Sequence, residues 1–322
     1  MSRRGLTVLA LALVLAFLVS LLLPAASLYA VFEQDSGLAV ALLAELRLPR
    51  TALALVYGAT LGASGAAIQG LFANPLASPD LTGTTSGAAL GAVMTAYIFG
   101  FAAPIALSAG AVAGALAALG LLLALAGAKA ETATLLLAGL AISALGGALT
   151  TLALALAPSP FAFYDAYDWL MGSLVDRSLA QLAFAALPAL LTIALLVRLA
   201  RPLDRLALGE DVAQSLGHDI FSLRLQVVCL SALGVGACVA ICGAIGFVGL
   251  VAPIFARRLT HGHPGGAVLP AALIGGLLLI AADVASRLAP VGRTLPIGVL
   301  TAMLGAPFFL WLVAHMRWRL RA

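Results

Sequence analysis

The sequence predicts an all-α, polytopic membrane protein with ten transmembrane helices and both termini on the cytoplasmic side. Three observations lead there. Of 322 residues, 63% are hydrophobic and 9% charged, with a mean hydropathy of +1.14, whereas soluble globular chains carry about 25% charged residues. The apolar residues form continuous runs, such as Leu6 to Leu23, and not the alternating stretches of an outer-membrane barrel. Finally, Arg3 and Arg4 open the chain and Arg317, Arg319 and Arg321 close it. Lys and Arg gather on the cytoplasmic side of a membrane, so two basic ends require an even number of crossings.

Runs of about twenty apolar residues suffice to cross the hydrocarbon core, and they fall at 6–30, 51–73, 84–103, 105–127, 132–157, 179–199, 224–244, 267–288 and 296–314. A tenth, 246–259, is short and contains Pro253, so by itself it reads equally as a re-entrant piece. Counting it as a crossing puts Arg3, Arg4, Lys129, Arg198, Arg201, Arg205, Arg224, Arg257, Arg258, Arg317, Arg319 and Arg321 inside, twelve of the 17 basic residues. The remaining five, Arg47, Arg50, Arg177, Arg287 and Arg293, stay outside. The first run, flanked by Arg4 and by the small residues Ala25, Ala26 and Ser27, has the outline of a secretion signal. It is longer than the core of a cleaved signal, and an uncleaved first helix is the simpler expectation. Pairs of small residues four apart, Gly58 with Gly62, Gly87 with Gly91 and Gly110 with Gly114, are expected to bring helices of this chain together where lipid offers no hydrophobic drive. None of them marks a dimer interface.

Several chemistries are excluded. A nucleotide-hydrolysing loop ends in Lys followed by Ser or Thr, and the only lysine is Lys129 in GAKAE. Cys229, Cys238 and Cys242 share one apolar segment and behave as small apolar side chains, without a disulfide or zinc pattern. His261 and His263 lack further ligands and read as solvated residues. No nucleophile and base stand at workable spacing, and Asp283, four residues before Arg287, suits an ion pair better than a proton relay. No catalytic residue, metal, resident cofactor or nucleic-acid partner is therefore expected.

What remains is polar at two levels. Outside, Arg47, Arg50, Arg287 and Arg293 run against the inside bias; such residues either snorkel and pair locally or form a basic rim for an acidic soluble partner. Inside, residues 201–224 form one long polar stretch. After Gly209, Glu210 and Asp211 place negative charge at the start of a short helix that Gly217 ends, and Ala213 and Leu216 are expected to form its apolar face. That face either seats in a partner's groove or lies on lipid. On the second helix Tyr57, Thr60 and Ser64 fall within about sixty degrees of one another at a hundred degrees per residue. Hydroxyls there either bond to backbone or line a path. The segment NPLASPDLTG that follows is broken by Pro75 and Pro79, which membrane depth tolerates only under cover of protein or water.

Eight blocks then carry a resemblance: LRLPR at 46–50, ASGAAIQGLFANPLASPDLTGTTSGAALGAV at 63–93, LLLAGLAISAL at 135–145, WLMGSL at 169–174, LALGEDVAQSLG at 206–217, GAIGFVGLVAP at 243–253, ADVASR at 282–287 and LPIGVLTAMLGAPFFLWL at 295–312. In this order they resemble the permease family of ABC importers for iron-siderophore complexes, haem and cobalamin. The resemblance implies one transmembrane domain spanning 1–322 in a bacterial cytoplasmic (inner) membrane. It further implies a homodimer around a central path, two cytoplasmic ATPase subunits that carry the Mg-ATP, and a periplasmic or lipid-anchored substrate-binding protein. By the same resemblance Arg47, Arg50 and Arg287 meet acidic residues of the binding protein, and Arg293 matches no motif. Gly209, Glu210, Ala213, Leu216 and Gly217 belong to the segment that meets the ATPase. Asn74 and Leu76 stand near the cytoplasmic gate, with Thr132 sharing that constriction. The motifs leave the chelate open, and PSPFAFYDAYDW at 158–169 touches cargo or anchors at the interface. The alternative is an ion-gradient-driven secondary transporter, which needs intramembrane carboxylates or broken-helix ion sites that are scarce here.

Overall fold

The structure, a computed structural model, describes residues 3–101, 103–127, 132–288 and 295–319. Among them there is no strand. The first helix, α1 (Arg3–Leu22), stops short of the expected residue 30, because Pro24 lacks the N–H that would continue the ladder. Two short helices follow, α2 (Ala25–Gln34) and α3 (Ser36–Ala41), with the Asp35 side chain between them accepting from the Gly37 and Leu38 amides. A π-helical turn over Leu42–Arg47 leads without a gap into α4 (Leu48–Leu71). This helix was expected to begin at residue 51. Pro49 sits in its first turn, where a missing N–H breaks nothing, so α4 starts earlier.

After α4 come a 3-10 turn (Pro79–Thr82), α5 (Thr84–Tyr97), α6 (Pro104–Ala126), α7 (Thr132–Ala155) and α8 (Pro160–Leu170). The remainder is α9 (Leu179–Arg198), α10 (Ala200–Leu206), α11 (Glu210–Ser215), α12 (Ile220–Cys242), α13 (Val248–Leu259), α14 (Val268–Arg287) and α15 (Ile297–Arg319). Among the described residues seven stretches are long and apolar enough to cross a membrane: Arg4–Leu22, Ser36–Leu71, Ile105–Leu125, Ala133–Ala155, Leu179–Arg198, Ile220–Cys242 and Val268–Arg287. The chain is thus a polytopic helical membrane protein. With 14 and 12 residues, α5 and α13 reach only about 21 and about 18 Å at 1.5 Å per residue. Each is short because irregular backbone, 72–83 and 243–247, precedes it.

Helix α4 is the hub. Its span is 83% buried inside the protein, whereas the span of α1 is 6% buried and lies at the periphery. Glycine makes the central position accessible. A Cβ placed on Gly58 would lie 2.3 Å from the Gly275 carbonyl oxygen, one on Gly62 2.0 Å from that of Ala271, and one on Gly65 1.8 Å from that of Gly249. The pairs on α5 and α6 behave alike, with 2.1 Å from Gly91 to the Gly110 oxygen and from Gly114 to the Gly87 oxygen. All three glycine pairs singled out from sequence therefore serve seams within one protomer.

Between α12 and α13 the backbone opens at membrane depth, and its polar groups need partners there. Tyr57 supplies two: its hydroxyl donates to the Gly243 carbonyl at 3.0 Å and accepts from the Ile245 amide at 3.3 Å. The Ser173 amide, from the loop after α8, donates to the Cys242 carbonyl at 2.8 Å. Gly243 and Phe247 both adopt positive φ, 72° and 66°, to make the turn.

Candidate functional site

One polar site is built on the end of α1. A helix leaves its last carbonyls without intrahelical donors and carries negative dipole charge there. Two arginines from elsewhere in the chain fill the gap. Arg287 Nη1 donates to the Ser20 carbonyl at 2.9 Å and to that of Leu23 at 3.3 Å. Arg47 donates from Nη1 to the Leu21 carbonyl at 2.9 Å and from Nη2 to that of Pro24 at 3.0 Å.

Near the C-terminal end of α14, Asp283 is fully buried and accepts from two guanidinium groups. Arg50 Nε reaches its Oδ1 at 2.7 Å, and Arg287 Nη2 pairs with its Oδ2. Ser286 Oγ accepts from Arg50 Nη2 at 3.2 Å and donates to the Asp283 carbonyl at 2.7 Å. Thr51 accepts from Arg287 at 3.4 Å and shares a hydroxyl contact of 3.1 Å with Ser20. A single buried carboxylate thus holds two arginines, while Arg47 is held by backbone carbonyls, and these four side chains sum to two positive charges. The structure brings Arg47, Arg50 and Arg287 together and turns two of them inward: Arg47 is buried and the Arg287 side chain is 7% exposed, against 17% for Arg50. Arg50 also lines a cavity of about 720 Å³ with Tyr97, Asp165, Trp169, Asp176 and Arg177. The i,i+4 pair of Asp283 with Arg287 was readable from spacing; its pairing with Arg50, 233 residues away, was not. Arg293 lies outside the described residues.

The second polar site is the stretch 201–224. Gly209 takes φ 108°, open to glycine, and directs the chain into α11. At the other end Gly217, φ 83°, and the bonds from the Gly217 amide to the Gln214 carbonyl (2.8 Å) and from the His218 amide to that of Ala213 (3.1 Å) close the helix. Glu210 pairs with Arg224 at the start of α12, and Arg205 meets a ring nitrogen of His218. One expectation is corrected here. Ala213 is fully buried, packed into the protein by the turn of α11, so it forms no outward face with Leu216. The apolar side chains that do face outward are Val212 and Leu216, exposed by 44% and 51% and four apart as helical neighbours are, with Leu208, 65% exposed, in the turn before Gly209.

This elbow is tied to α14. The Asp204 carboxylate on α10 accepts from the Gly265 amide at 2.8 Å, and Gly265 lies so close to Ala200 that an added Cβ would be 1.8 Å from its carbonyl oxygen. Asp204→Ala removes a charge-assisted bond of about 1.5–3 kcal/mol at most. Because Asp204 is half-buried, the expected fall in the thermal unfolding midpoint is about 2–6 °C. An unchanged midpoint would show that the tie contributes nothing.

The hydroxyl stripe takes a different place from the one considered for a path. Tyr57, Thr60 and Ser64 are all fully buried on the face of α4 that packs inside the protomer. Tyr57 holds the break between α12 and α13, Thr60 donates to the Val56 carbonyl at 2.7 Å, and Ser64 Oγ has no partner. Asn74 and Leu76 are half-buried in a turn in which the Asn74 side chain accepts from the Leu76 amide at 2.9 Å. Thr132 is the first residue of α7, and its side chain lies outside the described residues. Sequence reasoning missed Gln69, fully buried on α4 with Nε2 donating to the Leu250 carbonyl at 3.2 Å. A lone amide in an apolar helix was its signal.

The model of the FecCD transport family matches residues 6–315. The vitamin B12 import system permease protein BtuC of Vibrio cholerae is 40% identical over 297 residues, which cover 88% of this chain and 86% of that protein. The Fe(3+)-citrate import system permease protein YfmE of Bacillus subtilis is 38% identical over 271 residues, 84% of this chain and 80% of that one. Among solved structures, an inward-facing conformation of a metal-chelate type ABC transporter superposes with a TM-score of 0.86 at 33% identity, covering 97% of this chain and 98% of the other.

Proposed function

The chain belongs to the FecCD transport family, and from that premise we propose that it is the membrane-spanning subunit of a bacterial ABC importer for a metal chelate or corrinoid. The observation that carries this reading is the superposition over 97% of the chain on a metal-chelate type ABC transporter. In the assembly two copies surround the path, two ATPase subunits supply the force from the cytoplasm, and a substrate-binding protein delivers cargo from outside. Iron-siderophore, haem and cobalamin-type chelates are the cargo class; relatives for vitamin B12 and for iron citrate stand at similar identity.

Ten crossings follow when α5, α13 and α15 join the seven long spans, with both termini in the cytoplasm of a bacterial inner membrane. The irregular stretches before α5 and α13 then complete their crossings under cover of protein. The elbow at 201–224, with Gly209, Glu210 and Gly217 shaping α11 and Leu216 on its surface, meets the ATPase. Asn74, Leu76 and Thr132 border the inner gate. Tyr57, Thr60 and Ser64 border the path only when α4 and α13 part, since they are enclosed in the present conformation. Arg47, Arg50 and Arg287 form the docking corner for the binding protein.

Reconstitution into liposomes tests the whole reading. Uptake is expected to require the ATPase subunits, ATP and the binding protein together. Uptake by this chain alone under a proton or sodium gradient would replace the proposal with a secondary transporter. A local prediction concerns Arg50, the most exposed of the three arginines. Arg50→Glu is expected to weaken binding-protein association at least tenfold, measured by surface plasmon resonance on the nanodisc-embedded importer, with a smaller loss at high salt.

A further inference from the structure

We propose that Asp283 is a resident stand-in for the carboxylate of the docking partner: the arriving acid takes Arg50 from Asp283, and the exchange unlocks the outer end of α14 from α4. The inference rests on the docking reading given above and goes beyond it, because it assigns different duties to the arginines and a role to the acid.

The duties follow from the bonds. Arg47 and Arg287 are committed to the carbonyls at the end of α1, and their side chains are buried. A partner cannot reach them without dismantling that end. Arg50 differs: it spends Nε on Asp283 and Nη2 on Ser286, has part of its side chain open, and lines the outer cavity. An incoming carboxylate therefore meets Arg50 first, and a guanidinium offers it a two-pronged bond.

Asp283 can release Arg50 without becoming a bare buried charge, which would be strongly disfavoured. It keeps Arg287, four residues along the same helix. The four side chains of the corner carry two excess positive charges, and an arriving acid competes there with Asp165, Asp168 and Asp176 of the adjoining cavity. Breaking the Arg50–Asp283 pair removes the ion pair that joins α4 to α14 at this end. The inner end of α14 is connected through Gly265 to Asp204 on the elbow, so an outer release has a rigid helix through which to act.

The test uses the full importer in nanodiscs and the soluble binding protein encoded beside this chain. Asp283→Asn is expected to tighten association several-fold, because Arg50 no longer has a resident acid to leave. Adding Arg50→Gln is expected to cancel that gain. Unchanged or weaker association of a folded Asp283→Asn importer overturns the exchange. Ser286→Cys in the otherwise native chain provides an independent reading: Ser286 is buried in the free protein, and docking is expected to expose the thiol to a methanethiosulfonate reagent. Equal labelling in the free and docked states overturns the exchange as well. Absence of any association with the unsubstituted importer overturns the docking reading, and the exchange with it.

Discussion

Gly65→Val is expected to abolish accumulation of folded permease. The α4 backbone meets α14 at Gly58 and Gly62 and α13 at Gly65, and a Cβ at Gly65 would stand 1.8 Å from the Gly249 carbonyl oxygen, far inside the 3.0 Å below which real contacts do not occur. The obstacle is main chain, so no rotamer change relieves it. One surplus methylene in a packed core costs about 1–3 kcal/mol; here α4 and α13 must separate, although α4 is also held against α14 by Gly58 on Gly275 and Gly62 on Ala271. The separation also pulls Gln69 from the Leu250 carbonyl, 3.2 Å away. A branched side chain adds two more methyls to the same gap. Size-exclusion chromatography of the detergent-solubilised protein checks the outcome, with Gly147→Val as the control, since nothing lies within 4 Å of a Cβ there. A monodisperse Gly65→Val protein with an unshifted melting temperature would show that the seam yields.

The same seam explains why much of the fold could be read from the chain. Helices that pass through lipid need long apolar runs, and those runs mark their own ends: 267–288 was expected where α14 spans Val268–Arg287, and 224–244 where α12 spans Ile220–Cys242. Segments that do not cross leave no such mark. Part of α2 merged into the run 6–30, α3 fell in the unassigned stretch before 51, and α8 (Pro160–Leu170) was not assigned as a helix, because 11 residues with aromatics and acids have neither the length nor the continuity of a span. Among the described residues seven stretches rather than ten pass on length and apolarity, because α5 and α13 are only 14 and 12 residues long and the apolar stretch Ile297–Trp311 is also short.

Site residues were legible by type more than by duty. Arginines outside a membrane were visibly unusual, but which of them are enclosed depends on α1, whose carbonyl ends lie about 25 residues before Arg47 and more than 260 before Arg287. At the elbow, spacing alone allowed two apolar faces on one short helix, since Val212 and Ala213 are about a hundred degrees apart. Only the packing of α11 decides that Ala213 is inward and Val212 outward.

That decision leads to the second large effect. Replacing Val212 and Leu216 together by aspartate is expected to uncouple the importer: uptake is lost while the ATPase subunits hydrolyse ATP at their unstimulated rate. Both side chains are about half exposed in the isolated chain, with Leu208 exposed in the turn before Gly209, and nothing within the protomer covers them further. Burying a fully exposed apolar side chain of this size contributes about 1.5–3 kcal/mol; each of these is already half covered, so losing two costs about 1.5–3 kcal/mol before any penalty for burying the new carboxylates. At 1.4 kcal/mol per tenfold, that is a weakening of about tenfold to a hundredfold, read as reduced ATPase capture in a pull-down at micromolar concentration. Folding is expected to survive, because an outward position carries no core packing and the turns at Gly209 and Gly217 and the Glu210–Arg224 pair are untouched. Ala213→Asp reverses the pattern. It puts a charge into a fully buried position, so loss of the folded elbow precedes loss of coupling. Retained ATPase capture by the Val212 and Leu216 double variant would move the coupling surface away from α11.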